Sequence, residues 1–150
     1  MARLFAALEP ALRTEGNGLQ VLRAMLMAHA HAMLEHHTYE NVVAQGVQVH
    51  RFGATTPEQR ETMAELIASR DRFEGHFKDA ITAAIADGSI CAVDVSITSK
   101  VLLGALQWSI IWYRPKPEDD AASRAALANK MLIPLIEGLR PRNNEPPPFS

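Results

Sequence analysis

Apolar residues recur along most of the chain with the 3.6-residue period that is typical of amphipathic α-helices. The first such segment predicts a helix over residues 2–14, with four apolar positions at helical spacing: Leu4, Phe5, Leu8 and Leu12. Pro10 lies inside this segment and should bend or split the helix, because its ring clashes with a preceding carbonyl. The sequence Glu15-Gly16-Asn17-Gly18 then breaks the pattern.

The next two segments differ in how clearly they predict helices. Residues 19–36 carry apolar or small side chains on most faces, which is typical of a helix at the centre of a bundle. A third helix is predicted over residues 39–51, where four valines occur: Val42, Val43, Val47 and Val49. Because β-branched residues also favour strands, periodicity alone leaves a strand open for this third segment.

The fourth helix has the clearest boundaries. Thr56 is placed to cap its start, Pro57 suits the first helical position, and Gln59 can close a capping box. The apolar stripe ends near Asp87-Gly88, where glycine can adopt the left-handed conformation of a helix stop without a clash. One long helix is therefore predicted over residues 57–87.

The fifth predicted helix, residues 97–112, is the most apolar of the chain and contains Trp108. Asp94 or Ser96 can act as its N-cap. A helix that is apolar on most faces needs packing partners on more than one side. Since a chain of this size has limited internal surface to offer, we expect a second copy to supply part of the partner surface.

The last segment predicts a sixth helix over residues 118–137. It begins with acidic residues that suit a helix N-terminus, carries Pro134 as a kink, and stops at Gly138. Residues 141–150 are rich in proline and predict a flexible tail. The domain proper is therefore expected to span residues 1–140.

The composition supports a single all-α domain and excludes several classes of protein. Of 150 residues, 47% are hydrophobic, and strand formers are sparse. A net charge of −2 without a basic cluster argues against nucleic-acid binding by this polypeptide itself. A single cysteine fits a reducing compartment. No 18-residue apolar run and no signal peptide occur, so the sequence predicts a cytoplasmic protein without a membrane segment.

The order of four segments resembles the C-terminal domain of TetR-family transcriptional repressors. They are a long aromatic-rich helix ending AIADGSI, a short loop with Asp94, the sequence LLGALQWSIIWYRP, and an acidic helix ending IEGL. The similarity runs from about residue 4 to residue 139. It implies an all-α bundle of about six helices that binds an inducer and forms a homodimer. It also implies that residues 97–114 and 118–137 of two protomers pack as an intermolecular four-helix bundle.

One departure from the family pattern concerns DNA. TetR-family members carry a helix-turn-helix module before this domain, and residues 3–12 correspond to the helix that follows the module. We therefore expect DNA contact only through a helix-turn-helix that this chain lacks. The chain is then a truncated regulator, an incomplete gene model or a free-standing sensor.

A pocket for a small, mainly apolar ligand is the binding site that the sequence favours. Helical bundles form such sites between helices from apolar and aromatic side chains with few polar groups. His29 is the expected polar contact, although a plain core role is equally consistent for each residue of the set. The predicted ligand-binding residues are Leu22, Met25, His29, Met33, Phe73, Phe77 and Trp108.

A dimer seam is predicted on the fifth and sixth helices. Gly104 permits close approach of another backbone, either in a second copy or in a tight crossing within the chain, and the pattern leaves both open. An isologous pair is the commonest oligomer. The predicted seam residues are Lys100, Gly104, Gln107, Ile111, Leu127, Met131 and Leu135.

Catalytic and metal chemistry find little support in the sequence. His29, His31, His36 and His37 lack the i, i+4 spacing that is usual for zinc ligands on a helix. No phosphate loop, GxSxG or HExxH motif occurs. We therefore expect no enzyme, no metal and no cofactor. The alternative function is a free-standing helical protein, unrelated to transcription, that binds a small molecule or a metal.

Overall fold

The computed structural model describes residues 1–52 and 56–141, except for the side chains of residues 48–52. Across these residues the chain forms helices and no strand, which confirms the all-α prediction and excludes a strand for the third segment. The helices are α1 (Ala2–Leu12), α2 (Gly18–Glu35), α3 (His37–Phe52), α4 (Pro57–Ala86), α5 (Val95–Gln107), α6 (Ser109–Trp112) and α7 (Ala121–Glu137). Apart from Pro141, the predicted tail lies outside the described residues.

Local capping signals set most of the helix boundaries. Thr56 and Gln59 form the predicted capping box at the start of α4, and Gly88 follows that helix with φ +73°. Asp94, rather than Ser96, caps α5 by accepting a 2.7 Å hydrogen bond from the Ile97 amide. Asp120 caps α7, so that helix begins later than the predicted residue 118. Most boundaries thus follow from residues within one turn of them.

The predicted fifth helix is wrong in its continuity, because the structure divides it at Trp108 into α5 and α6. The amide of Ile111 donates to the carbonyl of Trp108, three residues back, which tightens the chain at this point. His37, at the start of α3, donates from Nε2 to the Ile110 carbonyl at 3.0 Å. That bond satisfies a carbonyl which the short α6 leaves without a helical partner.

Helix α2 lies at the centre of the bundle, as its composition predicts, and packs against α1, α4, α5 and α7. Its first turn is held by the end of α4. The Gly18 amide donates to Asp87 Oδ2 at 2.6 Å, and the Leu19 amide donates to Ser89 Oγ at 2.9 Å. A Cβ atom at Gly18 would lie 2.3 Å from Cα of Ala84, so glycine is required at this crossing.

Helix α4 divides into two halves with different surroundings. From Phe73 onward it contributes five buried residues to the core. No residue between Pro57 and Arg72 is buried, and Ile67 of the predicted stripe is half exposed. The core therefore lies around α2, the second half of α4, and α1, α5 and α7. This placement determines which residues are available for a binding site.

Candidate ligand and dimer sites

A cluster of aromatic side chains surrounds His29 in the core. The imidazole centroid lies 5.3 Å from the ring of Phe73 and 6.1 Å from that of Phe77. Phe5 of α1 meets Phe73 edge to face, with 5.4 Å between the ring centroids. We call His29, Phe73, Phe77 and Phe5 the histidine cluster. It joins α1, α2 and α4 through rings in direct contact.

The imidazole of His29 is unusual within this cluster. The residue is 6% exposed, and its Nδ1 atom is buried without a hydrogen-bond partner among the described residues. Burial lowers the pKa of His29 to about 4, because the charged form would lose its hydration. The neutral imidazole therefore presents one unsatisfied polar atom among apolar rings, an arrangement that costs free energy when nothing is bound.

The structure brings together six of the seven predicted ligand-binding residues. Leu22, Met25, His29, Met33, Phe73 and Phe77 are all buried on α2 and α4. Trp108 does not join them, since it is 62% exposed. The prediction grouped Trp108 with the others because it lies on an apolar helix. However, Leu106 and Ile110 occupy the inward face there, and Trp108 points outward.

Two open grooves lie elsewhere on the surface, and none of the seven residues lines either one. One, of about 320 Å³, lies between α3 and the first half of α4. The other, of about 540 Å³, lies between α1, α2 and α7. We call the larger one the alanine groove, after the six alanines in its lining: Ala7, Ala11, Ala24, Ala28, Ala32 and Ala125.

A row of large apolar side chains faces outward along α5 and α6. Ile97, Val101 and Trp108 follow one another at four and seven residues, which places them on one side of α5, and Ile111 and Trp112 extend the row along α6. Each is between 45 and 62% exposed. We call this surface the exposed stripe: Ile97, Val101, Trp108, Ile111 and Trp112. Such a continuous apolar surface is unusual on a monomeric protein and is typical of an interface.

The predicted seam overlaps the exposed stripe but is centred on a neighbouring face. Gly104, Gln107 and Ile111 are exposed. A Cβ atom at Gly104 would have no heavy atom of the described residues within 4 Å, so the alternative of a tight crossing with another part of the described chain is wrong. Lys100 is exposed too, but its Nζ donates to Glu74 Oε1 at 2.8 Å.

The predicted seam residues on α7 already pack partly against the core of their own chain. The three residues are half-buried and pack against the core: Leu127, Met131 and Leu135. Ile133, on another side of the same helix, is 54% exposed. The outward surface of α7 is therefore turned relative to the predicted one.

A carboxylate that the sequence did not single out connects α4 to α5. Glu74 Oε1 accepts hydrogen bonds from Lys100 at 2.8 Å, Lys78 at 2.9 Å and Ser99 Oγ at 2.9 Å. Partial burial alone would raise the pKa of Glu74, but the bonds from Lys100, Lys78 and Ser99 outweigh it and lower the pKa to about 2. Glu74 adjoins Phe73 in sequence and thus links the histidine cluster to the helix of the exposed stripe.

The remaining candidate histidines have separate surroundings. His37 binds the Ile110 carbonyl, whereas His31 and His36 lie beside Glu35. Among residues 1–52 and 56–141 no three histidine, cysteine or acidic side chains form a metal-binding group. No geometry in this part of the chain supports the metal-binding alternative.

One stretch, Val95–Trp112, is long and apolar enough to cross a membrane by length and composition alone. It coincides with α5 and α6, whose inward face packs against α2 and α4. A helix that carries one face of a bundle core and one apolar outer face passes the same test, so the stretch is weak evidence for a membrane segment.

Comparison with known proteins places this helical bundle in a family. The family model described as tetracyclin repressor-like, C-terminal domain, matches residues 15–135, which is more than half of the chain. Comparison with curated proteins finds no match.

Solved structures of regulators share the fold. The ketosteroid transcriptional regulator KstR2 of Mycobacterium tuberculosis aligns with a TM-score of 0.75 at 19% identity, over 93% of this chain and 66% of that one. PfmR, a TetR-family regulator from Thermus thermophilus, aligns with a TM-score of 0.68 at 27% identity, over 87% of this chain and 68% of that one.

A TetR/AcrR-family regulator from Thermobifida fusca aligns with a TM-score of 0.63 at 19% identity, over 93% of this chain and 72% of that one. The chain thus spans just under two thirds of KstR2. The family is one of transcriptional regulators rather than enzymes, and the resemblance stated from the sequence is confirmed. This chain belongs to the tetracyclin repressor-like C-terminal domains of TetR-family regulators.

Proposed function

We propose that this domain senses a small, predominantly apolar molecule and forms the homodimer of a TetR-like repressor. The observation that carries the proposal is the unpartnered Nδ1 of His29, buried between Phe73 and Phe77. A ligand with one polar group would satisfy that nitrogen, while its apolar body replaces contacts between the rings. Binding would thereby remove a cost that the ligand-free domain carries.

The route from ligand to output follows the contacts of the histidine cluster. A molecule seated beside His29 has to separate α4 from α2. Phe73 touches Phe5 of α1 on one side, and Glu74 holds Lys100 and Ser99 of α5 on the other. A shift of α4 would therefore displace both α1 and α5. Ligand would favour one setting of these helices over another, as a population shift.

The output of such a shift would appear in a regulator that joins this domain to a DNA-binding module. There, a helix-turn-helix module joined to α1 would contact DNA and would move with α1. No residue of this chain is assigned to DNA. Such a regulator would act in the cytoplasm, where it meets its operator.

The proposed dimer interface consists of the exposed stripe and the outward face of α7. A two-fold axis across the stripe would pair it with the same residues of a second copy. Trp108 and Trp112 would be buried there, which explains why large aromatic side chains lie outward on each single chain.

Native mass spectrometry of the purified domain tests both halves of the proposal. We expect a dimer that carries an apolar small molecule. His29→Leu should retain the dimer and lose the molecule, whereas His36→Leu, which changes a histidine outside the cluster, should retain both. Val101→Glu should give monomers, because a charge buried in the seam costs about 3–5 kcal/mol, while Ala6→Glu on α1 should stay dimeric. A monomeric wild type, or ligand unaffected by His29→Leu, contradicts the proposal.

A further inference from the structure

The alanine groove is a second concave site that is separate from the histidine cluster. Its floor is the outer side of α2, and its walls come from α1 and from Ala125 of α7. Helices α1 and α7 pack on different flanks of α2, and the groove is the trough between them. Half of its twelve lining residues are alanines, whose side chains are single methyl groups, so the trough is wide enough for a molecule of moderate size. Its volume of about 540 Å³ lies within the range of small-molecule sites.

The polar groups of the groove are concentrated at the end of α2. Apart from Thr14, they are His31, Glu35 and His36. Glu35 Oε2 lies 3.8 Å from His31 Nδ1 and 3.9 Å from His36 Nε2. Both separations are too long for hydrogen bonds, so within the described chain this carboxylate oxygen is open to a shorter contact. The groove thus combines an apolar trough with one carboxylate at its end.

We propose that the alanine groove binds an elongated apolar amine, with its ammonium group on Glu35 and its hydrocarbon chain along the alanines of α2. From Ala24 to Glu35 the floor extends for about 16 Å at the rise of an α-helix, which suits a linear chain rather than a compact ligand. An ammonium group can donate to Glu35 Oε2 at hydrogen-bond distance, whereas a carboxylate ligand would meet a like charge. The site differs in place and in charge from the proposed pocket at His29, and its occupancy does not depend on that pocket.

Isothermal titration calorimetry with three ten-carbon probes of equal chain length tests this proposal: decylamine, 1-decanol and decanoate, each below its aggregation concentration. We expect the wild-type domain to bind decylamine about tenfold more tightly than decanol, since a hydrogen bond to a charged group contributes somewhat more than a neutral one. Decanoate should bind more weakly than decanol.

Four variants locate the binding. Glu35→Gln, a change on the surface that leaves the fold intact, should reduce decylamine affinity to the decanol level. Glu65→Gln, an exposed carboxylate on α4, should change nothing. Ala28→Leu, which fills the floor of the groove, should weaken all three probes at least tenfold, whereas His29→Leu should leave all three unchanged.

Several outcomes overturn the proposal. Equal decylamine affinity in wild type and Glu35→Gln removes the carboxylate from the site. Tighter binding of decanoate than of decylamine would mean that His31 and His36, rather than Glu35, bind the charged group of the probe. Loss of binding in His29→Leu but not in Ala28→Leu places the probe in the histidine cluster instead. Absence of binding by any probe to a wild-type domain of normal helicity removes the groove as an amine site.

Discussion

Two pairs of large aromatic residues in this domain have opposite surroundings. Phe73 and Phe77 are buried around His29, whereas Trp108 and Trp112 lie outward on α5 and α6. Both sets lie on helices with strong apolar stripes, so hydrophobicity alone does not distinguish them. Phe73 and Phe77 therefore stabilise the single chain, while Trp108 and Trp112 have apolar surface left to bury against another molecule. The proposed division into a ligand cluster and a dimer stripe follows from this contrast.

The loss of stability on truncation to alanine should differ most between one buried and one outward aromatic residue. The two variants are compared in the monomeric Val101→Glu background. Phe77 is fully buried, so Phe77→Ala should lower the free energy of unfolding by about 3–5 kcal/mol through the cavity it leaves. Trp108→Ala should change it by less than about 0.5 kcal/mol, as for other surface positions. Urea unfolding followed by circular dichroism measures both. Equal losses in the two variants would abolish the distinction between the sets.

The second effect concerns pH and His29. Because its pKa falls from 6.5 to about 4 on folding, the unfolded chain binds the proton more readily than the folded one. The free energy of unfolding is therefore independent of His29 protonation above pH 6.5, and it decreases as the pH falls from 6.5 through 4. The total decrease in the free energy of unfolding is about 3 kcal/mol at most.

The control for this pH effect is a residue that cannot titrate. Comparing urea unfolding at pH 7.5 and pH 4.5, we expect His29→Leu to lose distinctly less stability than the wild type. His29→Leu should also be the more stable protein at pH 7.5, by about 1–3 kcal/mol, because it removes a buried unpaired polar group. Identical pH profiles for the two proteins would show that His29 is hydrated or hydrogen-bonded in the folded state.

The smallest of the three effects separates a packed glycine from an open one. At Gly18 an added methyl group would meet Ala84, whereas at Gly75 a Cβ atom would have no atom of the described residues within 4 Å. Gly18→Ala should therefore destabilise the domain by about 1–3 kcal/mol through overpacking. Gly75→Ala should stabilise it by about 0.4–1 kcal/mol. Thermal unfolding at one protein concentration compares them, and a stable Gly18→Ala variant would mean that α2 and α4 are farther apart.

Sequence predicts this fold well where the deciding signal is local. The capping box of Thr56 and Gln59 and the stop at Gly88 act within one turn of the boundary that they set. The break at Trp108 is accompanied instead by a hydrogen bond from His37, on another helix, to the Ile110 carbonyl, and no spacing in the sequence reveals that contact.

The residues of the candidate site are likewise predictable only where the pattern along a single helix identifies them. The apolar period of α2 and α4 correctly selects residues that share the core. On α5 nearly every face is apolar, so periodicity cannot distinguish inward from outward positions, and it places Trp108 among the pocket residues although its side chain is 62% exposed. Glu74 and Lys78 show a helical ion-pair spacing, but the partners Ser99 and Lys100 come from a distant part of the chain.

Tryptophan fluorescence tests the central contrast most directly, because both tryptophans of the chain lie on the exposed stripe and none lies in the histidine cluster. The emission maximum should be measured for the wild type and for Val101→Glu, with the mass of each determined by light scattering on the same samples. We predict a wild-type dimer whose emission is shifted to shorter wavelength than that of the monomeric variant. A wild-type dimer with the emission of solvent-exposed tryptophan would place the seam elsewhere and contradict the account.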